Sequence, residues 1–350
     1  MRYVIFAVLV IALVFSVTSG CGSDRTKLKV INAGSLMVPF TEMEEAFEAE
    51  HPDVDVLIEG HGSIQAIRHV TELYAEADVI AVADYSLLPM MMYQTPMPET
   101  DEPYADWLVK FATNRLGIAY TPSSKYADEV NSENWYEVLA RPDVKVGVSD
   151  PRFDSCGYRS LMLCQLAELY YHDDQIFEGV LGEFSPEITV EEVNGQYVII
   201  VPEILRPKKV SVRGSSVALL STIESGDIDY AFQYESVSRQ YGLEFIDLPV
   251  EIDLSSNEYQ DSYERVQCKL AFQRFASVVP VFDGESIVYA MTIPENAEHP
   301  ELAAEFIQFV LGPEGSEVLS RTNQPALIPP TVDHQGNVPD ILTGLVEEYL

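Results

Sequence analysis

Three short stretches carry residue types that could hold an anion. Gly34-Ser35 ends the apolar run "LKVINAG", and Gly62-Ser63 ends "DVDVLIEGHG". Asp154-Ser155-Cys156-Gly157 follows the run "DVKVGVSD" after three residues. Each stands where a strand-like pattern gives way to a helix-like one. The first turn of a helix offers N–H groups without intrahelical partners and the positive end of the helix dipole, which suits anionic oxygen. Small residues let the backbone approach closely, and serine adds a neutral hydroxyl donor. One such serine is most simply an N-cap, worth about 1 kcal/mol. Three junctions of one chemistry in a single chain point instead to an oxyanion site, with Ser35 both capping its helix and aiming donors outward.

The elements that must position these junctions alternate strands with helices. The strand at 28–34 leads to a helix at 35–52 with Leu36, Phe40, Met43 and Phe47 on one face. Pro39 is tolerable there because first-turn amides lack intrahelical partners. A strand at 53–62, a helix at 63–76 with Ile64, Ile67, Val70 and Tyr74 facing inward, and a strand at 77–84 complete a βαβαβ series, which implies a parallel sheet covered by helices. "NRLGIAYTPSSKY" extends as one long strand out of this lobe. A second series follows: strand 143–150, helix 156–171, a variable insert near 173–210, helix 216–225 and strand 226–234. Strands at 242–249 and 286–294 lead back, two helical pieces flank Gly312-Pro313, and the tail from Gln324 is turn-rich. The expected architecture is α/β with two lobes joined by two crossings: 27–116 and 249–350 in the first lobe, 117–248 in the second. In such sheets, ligands gather at the carboxyl ends of the strands.

Composition narrows the function classes. A formal net charge of −35 over 350 residues repels nucleic acid and anionic lipid, which makes neither a partner. The apolar run within residues 1–20 is short for a membrane span and fits a signal segment. "TSGC" resembles a lipoprotein cleavage box with Cys21 as the lipidated residue, ahead of a linker at 21–27. The body is therefore expected outside the cytoplasmic membrane. Cys156, Cys164 and Cys268 give no complete disulfide framework. No CxxC or HExxH occurs, and the six histidines show no ligand spacing; His61 is the one beside a junction and reads as a loop residue. Cys156 at a helix N-terminus could be an activated thiolate, but no histidine lies near it in sequence to serve as a base. Arg159 reads as a surface or supporting charge, Met90-Met91-Met92 as packing, and Tyr234 as half-buried packing on its strand.

The ordered series "VINAGSLMVPFTEMEEAFE", "EGHGSIQAIRHVTEL", "ADVIAVADYSLL", "SDPRFDSCGYRSLM", "ESGDIDYAFQYESV" and "IVYAMTIPENAEHPELAAEFIQFVL" resembles the archaeal-type tungstate/molybdate-binding proteins of ABC importers. The resemblance covers most of the chain after residue 27. It implies a type II periplasmic-binding-protein fold, a monomer without cofactor, and no catalysis. Its ligand would be a tetrahedral oxyanion, passed to a membrane permease. Carried over residue by residue, it implies Gly34, Ser35 and Ser63 as first-lobe donors. From the second lobe it implies Asp154, with Ser155 and Cys156, and Tyr234. Asp154 would reach the tungsten or molybdenum centre itself. The family often has a second carboxylate 18 residues before that tyrosine; here Ser216 takes its place, with Gln233 and Glu235 as neighbouring substitutes. Two rival readings are a binding protein for sulfate or phosphate and an enzyme using Cys156 or a serine as nucleophile.

Overall fold

The computed structural model describes residues 25–182, 188–271 and 280–349; the leader and Cys21 lie outside the described residues. The chain opens with β1 (Thr26–Ala33), a 3-10 turn at Gly34–Leu36, α1 (Met37–Glu50), β2 (Val54–His61), α2 (Ser63–Thr71), β3 (Val79–Val82) and β4 (Val109–Thr113). It crosses to β5 (Leu116–Tyr120), α3 (Trp135–Ala140), β6 (Val146–Ser149), α4 (Ser155–Tyr171) and α5 (Ile176–Leu181). Next come β7 (Thr189–Val193), β8 (Gln196–Val201), β9 (Val210–Arg213), α6 (Leu220–Glu224), β10 (Tyr230–Tyr234), α7 (Glu235–Gln240) and β11 (Glu244–Ile246). The remainder holds α8 (Gln260–Tyr263), β12 (Val266–Leu270), β13 (Val281–Asp283), β14 (Val288–Thr292), α9 (Pro300–Leu311), α10 (Pro313–Arg321), β15 (Ala326–Val332) and β16 (Glu347–Glu348).

Two α/β sheets form the lobes. The first has the order β16-β15-β4-β14-β3-β1-β2, and the second β11-β5-β10-β6-β9. In the first, β1 runs parallel to both β2 and β3, so the chain winds outward from β1 in two directions. In the second, β6 lies parallel between β10 and β9. Central strands such as Val79–Val82 are buried at every residue because helices cover both faces. On α1, Leu36, Phe40, Met43 and Phe47 are buried as their spacing predicts. Pro39 falls in the first turn, where a missing N–H costs no intrahelical bond.

Several expectations change. The helix after Ser63 stops at Thr71, and Tyr74, expected to face inward, is 64% exposed with a left-handed φ of 56°. The long strand expected from Asn114 shortens to β5, Leu116–Tyr120; β4 precedes it in the other sheet, and the chain crosses between lobes at Asn114-Arg115. The insert near 173–210 is not irregular. Its β7 and β8 join β12 and β13 in a third, four-stranded sheet, β13-β12-β8-β7. The residues after 249 therefore do not return directly to the first sheet; they rejoin it at β14. The turn-rich tail contributes β15, an antiparallel neighbour of β4.

Helix α4 explains how the third sheet is held. It is buried without a break from Ser155 to Ala167, and it touches β5, β6 and β10 on one side and β8 and β12 on the other. A helix that is apolar all round belongs in a core, not on a surface. Its one cation, Arg159, is therefore 2% exposed, which leaves the supporting charge and excludes the surface one of the two expected roles.

Candidate functional site

The three junctions meet. Ser63 Oγ lies 3.3 Å from Ser155 Oγ, and Ser155 Oγ lies 3.2 Å from the hydroxyl of Tyr234, so both lobes share one polar cluster. Ser35, Ser63, Asp154, Ser155, Ser216, Gln233 and Tyr234 are all buried. The glycines allow this closeness. A Cβ at Gly62 would lie 2.5 Å from the carbonyl oxygen of Phe153 across the cleft, and one at Gly157 would lie 2.4 Å from that of Ser149.

Neither first-lobe serine caps a helix with its side chain, contrary to expectation. Ala33 and Gly62 occupy the N-cap positions, and neither makes a side-chain cap bond. Ser35 and Ser63 lie inside the first turn, and their hydroxyls are engaged from behind. Tyr289 donates to Ser35 Oγ at 2.9 Å, and Asn114 Nδ2 in turn donates to the Tyr289 hydroxyl at 3.0 Å. The backbone N–H of Ala83 donates to Ser63 Oγ at 3.1 Å. On the other lobe, Arg159 Nη1 donates to the Tyr234 hydroxyl at 3.1 Å. A hydroxyl has one hydrogen and two lone pairs. Each of the three therefore has an acceptor position filled from behind. Ser155 has one hydrogen for its two hydroxyl neighbours, so Ser63 or Tyr234 donates to it in the closed cluster, while the hydrogen of Ser35 remains to be given. The Ser35 and Tyr234 hydroxyls come from opposite lobes; Ser155 links Tyr234 to Ser63 of the first lobe, and Tyr289 holds Ser35.

Asp154 is the anionic member. Burial pushes its carboxyl up to about 6, while the backbone amides of Ser216, Cys156 and Ser63 pull the other way by favouring the charged form. The Ser216 amide donates to Asp154 Oδ2 at 2.7 Å. Ser216, which stands where a second carboxylate would be, thus contributes its backbone. Gln233 braces this arrangement: its Nε2 donates to the Ser216 carbonyl at 3.0 Å, and its Oε1 accepts from the Tyr234 amide at 3.0 Å. Glu235 does not join the cluster. Arg115 holds its carboxylate through Nε at 2.6 Å and Nη2 at 2.9 Å and keeps it below the usual range. Gly34 approaches the second lobe at Val217; an added Cβ would sit 3.1 Å from Val217 Cγ2.

Sequence reasoning missed Asp84, Tyr289 and Asn114, and left Arg159 between a surface and a supporting charge; it is the supporting one. Arg159 Nη1 donates to the Ala83 carbonyl at 2.6 Å, and Nη2 lies 3.1 Å from Asp84 Oδ2. Asp84 also accepts from the Tyr158 hydroxyl and from the amide and hydroxyl of Ser86. The guanidinium is neutralised by Asp84, so what it supplies to the cleft is orientation of Tyr234. A signal for Asp84 existed: it closes "ADVIAVAD", at the carboxyl end of a parallel strand. Nothing in sequence marks Tyr289, on a strand 254 residues from the serine it contacts.

Cys156 is not equipped as a nucleophile. Its sulfur is buried against the Phe232 carbonyl at 3.7 Å, and burial together with Asp154 pushes its thiol well above the ordinary value. The histidines give a further correction: Glu59, His61 and His69 place ligand-type atoms within 4.8 Å of one another, although their sequence spacing showed no pattern. His61 ends β2 and is not a loop residue.

Two helix-covered sheets that clasp a buried donor cluster define a two-lobed solute-binding protein. The chain belongs to the bacterial extracellular solute-binding protein family, whose model matches residues 28–322. An uncharacterized solute-binding protein of Methanoculleus marisnigri is 44% identical, over 96% of this chain and 95% of its own length. The molybdate/tungstate-binding protein WtpA of Pyrococcus abyssi is 40% identical, over 93% of this chain and 91% of its own. The periplasmic molybdate-binding protein of Azotobacter vinelandii has the same fold, with a TM-score of 0.55 over 85% of this chain and 98% of that one at 14% identity.

Proposed function

We propose that the protein captures tungstate or molybdate outside the cytoplasmic membrane and delivers it, without catalysis, to an ABC-type permease. In this reading it works as a monomer tethered through Cys21. The observation that carries the reading is the set of hydroxyls on Ser35, Ser63 and Tyr234. Each accepts a bond from behind; Ser35 keeps its hydrogen to donate, and an entering anion would take over the donations that now join Ser63, Ser155 and Tyr234. Such a set satisfies the oxygens of a dianion with neutral groups and needs no free buried countercharge. It also explains how a protein with a net charge of −35 can bind an anion. The N-termini of α2 and α4 add amides, and the buried carboxylate of Asp154 already draws on that supply. Asp154 is the group that would reach the electrophilic metal centre, which sulfate and phosphate cannot use in the same way. Ser216 leaves the bound metal with one protein carboxylate at most. The 40%-identical relative of known ligand class supports the same oxyanions.

Calorimetric titration of dialysed protein with tungstate, molybdate, sulfate and phosphate tests this reading. Tungstate or molybdate should bind at micromolar concentration or below, with sulfate and phosphate far weaker. Equal affinity for all four would make the cleft a general anion site, and binding by none would end the proposal.

A further inference from the structure

β2 is the edge strand of the first sheet, and it ends at His61 immediately before Gly62-Ser63. Glu59 and His61 are two residues apart on a strand and so share a face. The chain then reverses, and α2 sets His69 against the same edge. The two imidazole rings lie 4.0 Å apart between centroids at 53°. Glu59 Oε1 faces both, at 2.7 Å from His61 Nε2 and 3.7 Å from His69 Nδ1. We propose that Glu59, His61 and His69 form a binding site for a borderline-soft divalent cation of the zinc type at the rim of the first lobe, separate from the oxyanion cleft.

Three features favour a cation of this class. Two imidazoles and one carboxylate form the ligand set of three-coordinate protein sites that leave a fourth position to water, with zinc–ligand distances of about 2.0–2.2 Å. A tetrahedral ion with such bonds holds its ligand atoms about 3.3 Å apart, and the observed separations of 2.7 and 3.7 Å bracket that value. Small side-chain rotations would therefore seat the ion. Rings in contact also disfavour double protonation. Imidazole selects zinc-like ions over calcium or magnesium, which prefer oxygen. The buried thiols of Cys156, Cys164 and Cys268 offer no competing site on the surface.

The test is titration of the intact, metal-stripped protein with zinc chloride, without any oxyanion, so that it stands or falls independently of the proposed function. One zinc ion per chain should bind, unaffected by millimolar calcium or magnesium. His69→Gln should weaken binding by about tenfold or more, since even outer partners of metal sites carry that much. Glu59→Gln, at an exposed side chain, gives a second variant should His69→Gln fold poorly. X-ray absorption should show two imidazole ligands. Zinc affinity unchanged in both variants, or equal displacement by calcium, would assign the binding to the acidic surface at large and overturn the site.

Discussion

Two concave regions of this molecule differ in nearly every property. One is the polar cluster between the lobes, tight and buried, where hydroxyls touch across the cleft at 3.2–3.3 Å. The other is an open cavity of about 980 Å³ whose lining includes Tyr85, Lys110, Glu264, Asp283, Glu285 and Tyr349. The cavity is by far the roomier, yet its lining suits a small dianion poorly. It presents three acids and one base, and Lys110 is already spent: its ammonium lies 3.5 and 3.7 Å from the ring centroids of Tyr85 and Tyr349. Burial and the neighbouring Asp84 raise the proton affinity of Glu285, against the pull of the Tyr85 hydroxyl, Arg159 and Lys110. The cluster is closed and buried, and its donors are directed. A tetrahedral anion is recognised by donor placement, so in the proposed function the anion sits at the cluster and not in the larger space.

The sharpest way to expose the difference is through Arg159. Its ion pair with Asp84 is buried on both sides, at 2% and 3% side-chain exposure. Removing one partner leaves an uncompensated buried charge, a loss of about 3–5 kcal/mol. Arg159→Met should therefore cost that much in denaturant unfolding, and it should also release Tyr234 from its orienting bond. Adding Asp84→Asn should restore part of the stability without restoring oxyanion affinity. A double variant with wild-type affinity would show that Arg159 has no part in setting Tyr234. No cavity charge should approach this cost.

Asp154 gives the next largest effect, and its sign is diagnostic. A carboxyl raised from 3.8 to about 6 keeps its proton longer in the folded chain than in the unfolded one. Its contribution is thus most favourable below about pH 4 and is lost as pH rises through about 6, by up to roughly 3 kcal/mol. Many other acids titrate in this range, so the quantity to measure is the difference between wild type and Asp154→Asn. That difference should grow from pH 4 to pH 6 in favour of the variant, then level off. Parallel curves would mean that the carboxylate is adequately solvated or fully paired after all.

Single hydroxyls come third. Ser63→Ala and Ser35→Ala should each weaken tungstate or molybdate binding by about 1–3 kcal/mol, because each deletes a donor in a dry site. Ser63→Ala also leaves the Ala83 amide without its acceptor, so some loss should appear in unfolding as well; for Ser35→Ala the bereaved group is the Tyr289 hydroxyl. Calorimetry on the two variants would show whether the donors are equivalent. Unchanged affinity in both would remove the hydroxyls from the recognition scheme.

The same contrast explains what could be read in the sequence. Local features were legible: strand-to-helix junctions, the buried face of α1, and the glycines that open α2 and α4. So was the meeting of the Ser63 and Ser155 junctions, once the alternating pattern implied parallel sheets with ligands at their carboxyl ends; Tyr234 reads as packing on its strand and enters only through the family resemblance. What was not legible depends on contacts between distant segments. Arg159 stayed open between a surface and a supporting charge because the pattern of α4 does not reveal that a third sheet covers its outer side. Tyr289 supports Ser35 from a returning strand, and His69 meets Glu59 only because α2 folds back along β2. The serines are buried in the cluster but not as caps: as caps they would have spent their oxygens on their own helices, whereas the folded chain fills those oxygens from other elements.

The smallest expected effect concerns the cavity. Glu264 and Asp283 are exposed on its wall, and Asp283 Oδ1 accepts from Gln267 Nε2 at 2.7 Å, a bond that asparagine can also accept. Solvent and salt screen exposed charges of this kind over about 10 Å, and exposed pairs contribute about 0–1 kcal/mol. Glu264→Gln with Asp283→Asn should therefore change oxyanion affinity by less than about twofold at physiological ionic strength. Long-range attraction acts earlier, on the encounter, so the association rate should rise modestly at low salt and lose that gain as salt is added. Stopped-flow binding across a salt series separates the two effects. If the double variant instead shifts affinity tenfold or more at physiological salt, the anion must come to rest near the cavity wall. The large open space would then be the binding site, and the buried hydroxyls would be no more than the clasp that holds the lobes together.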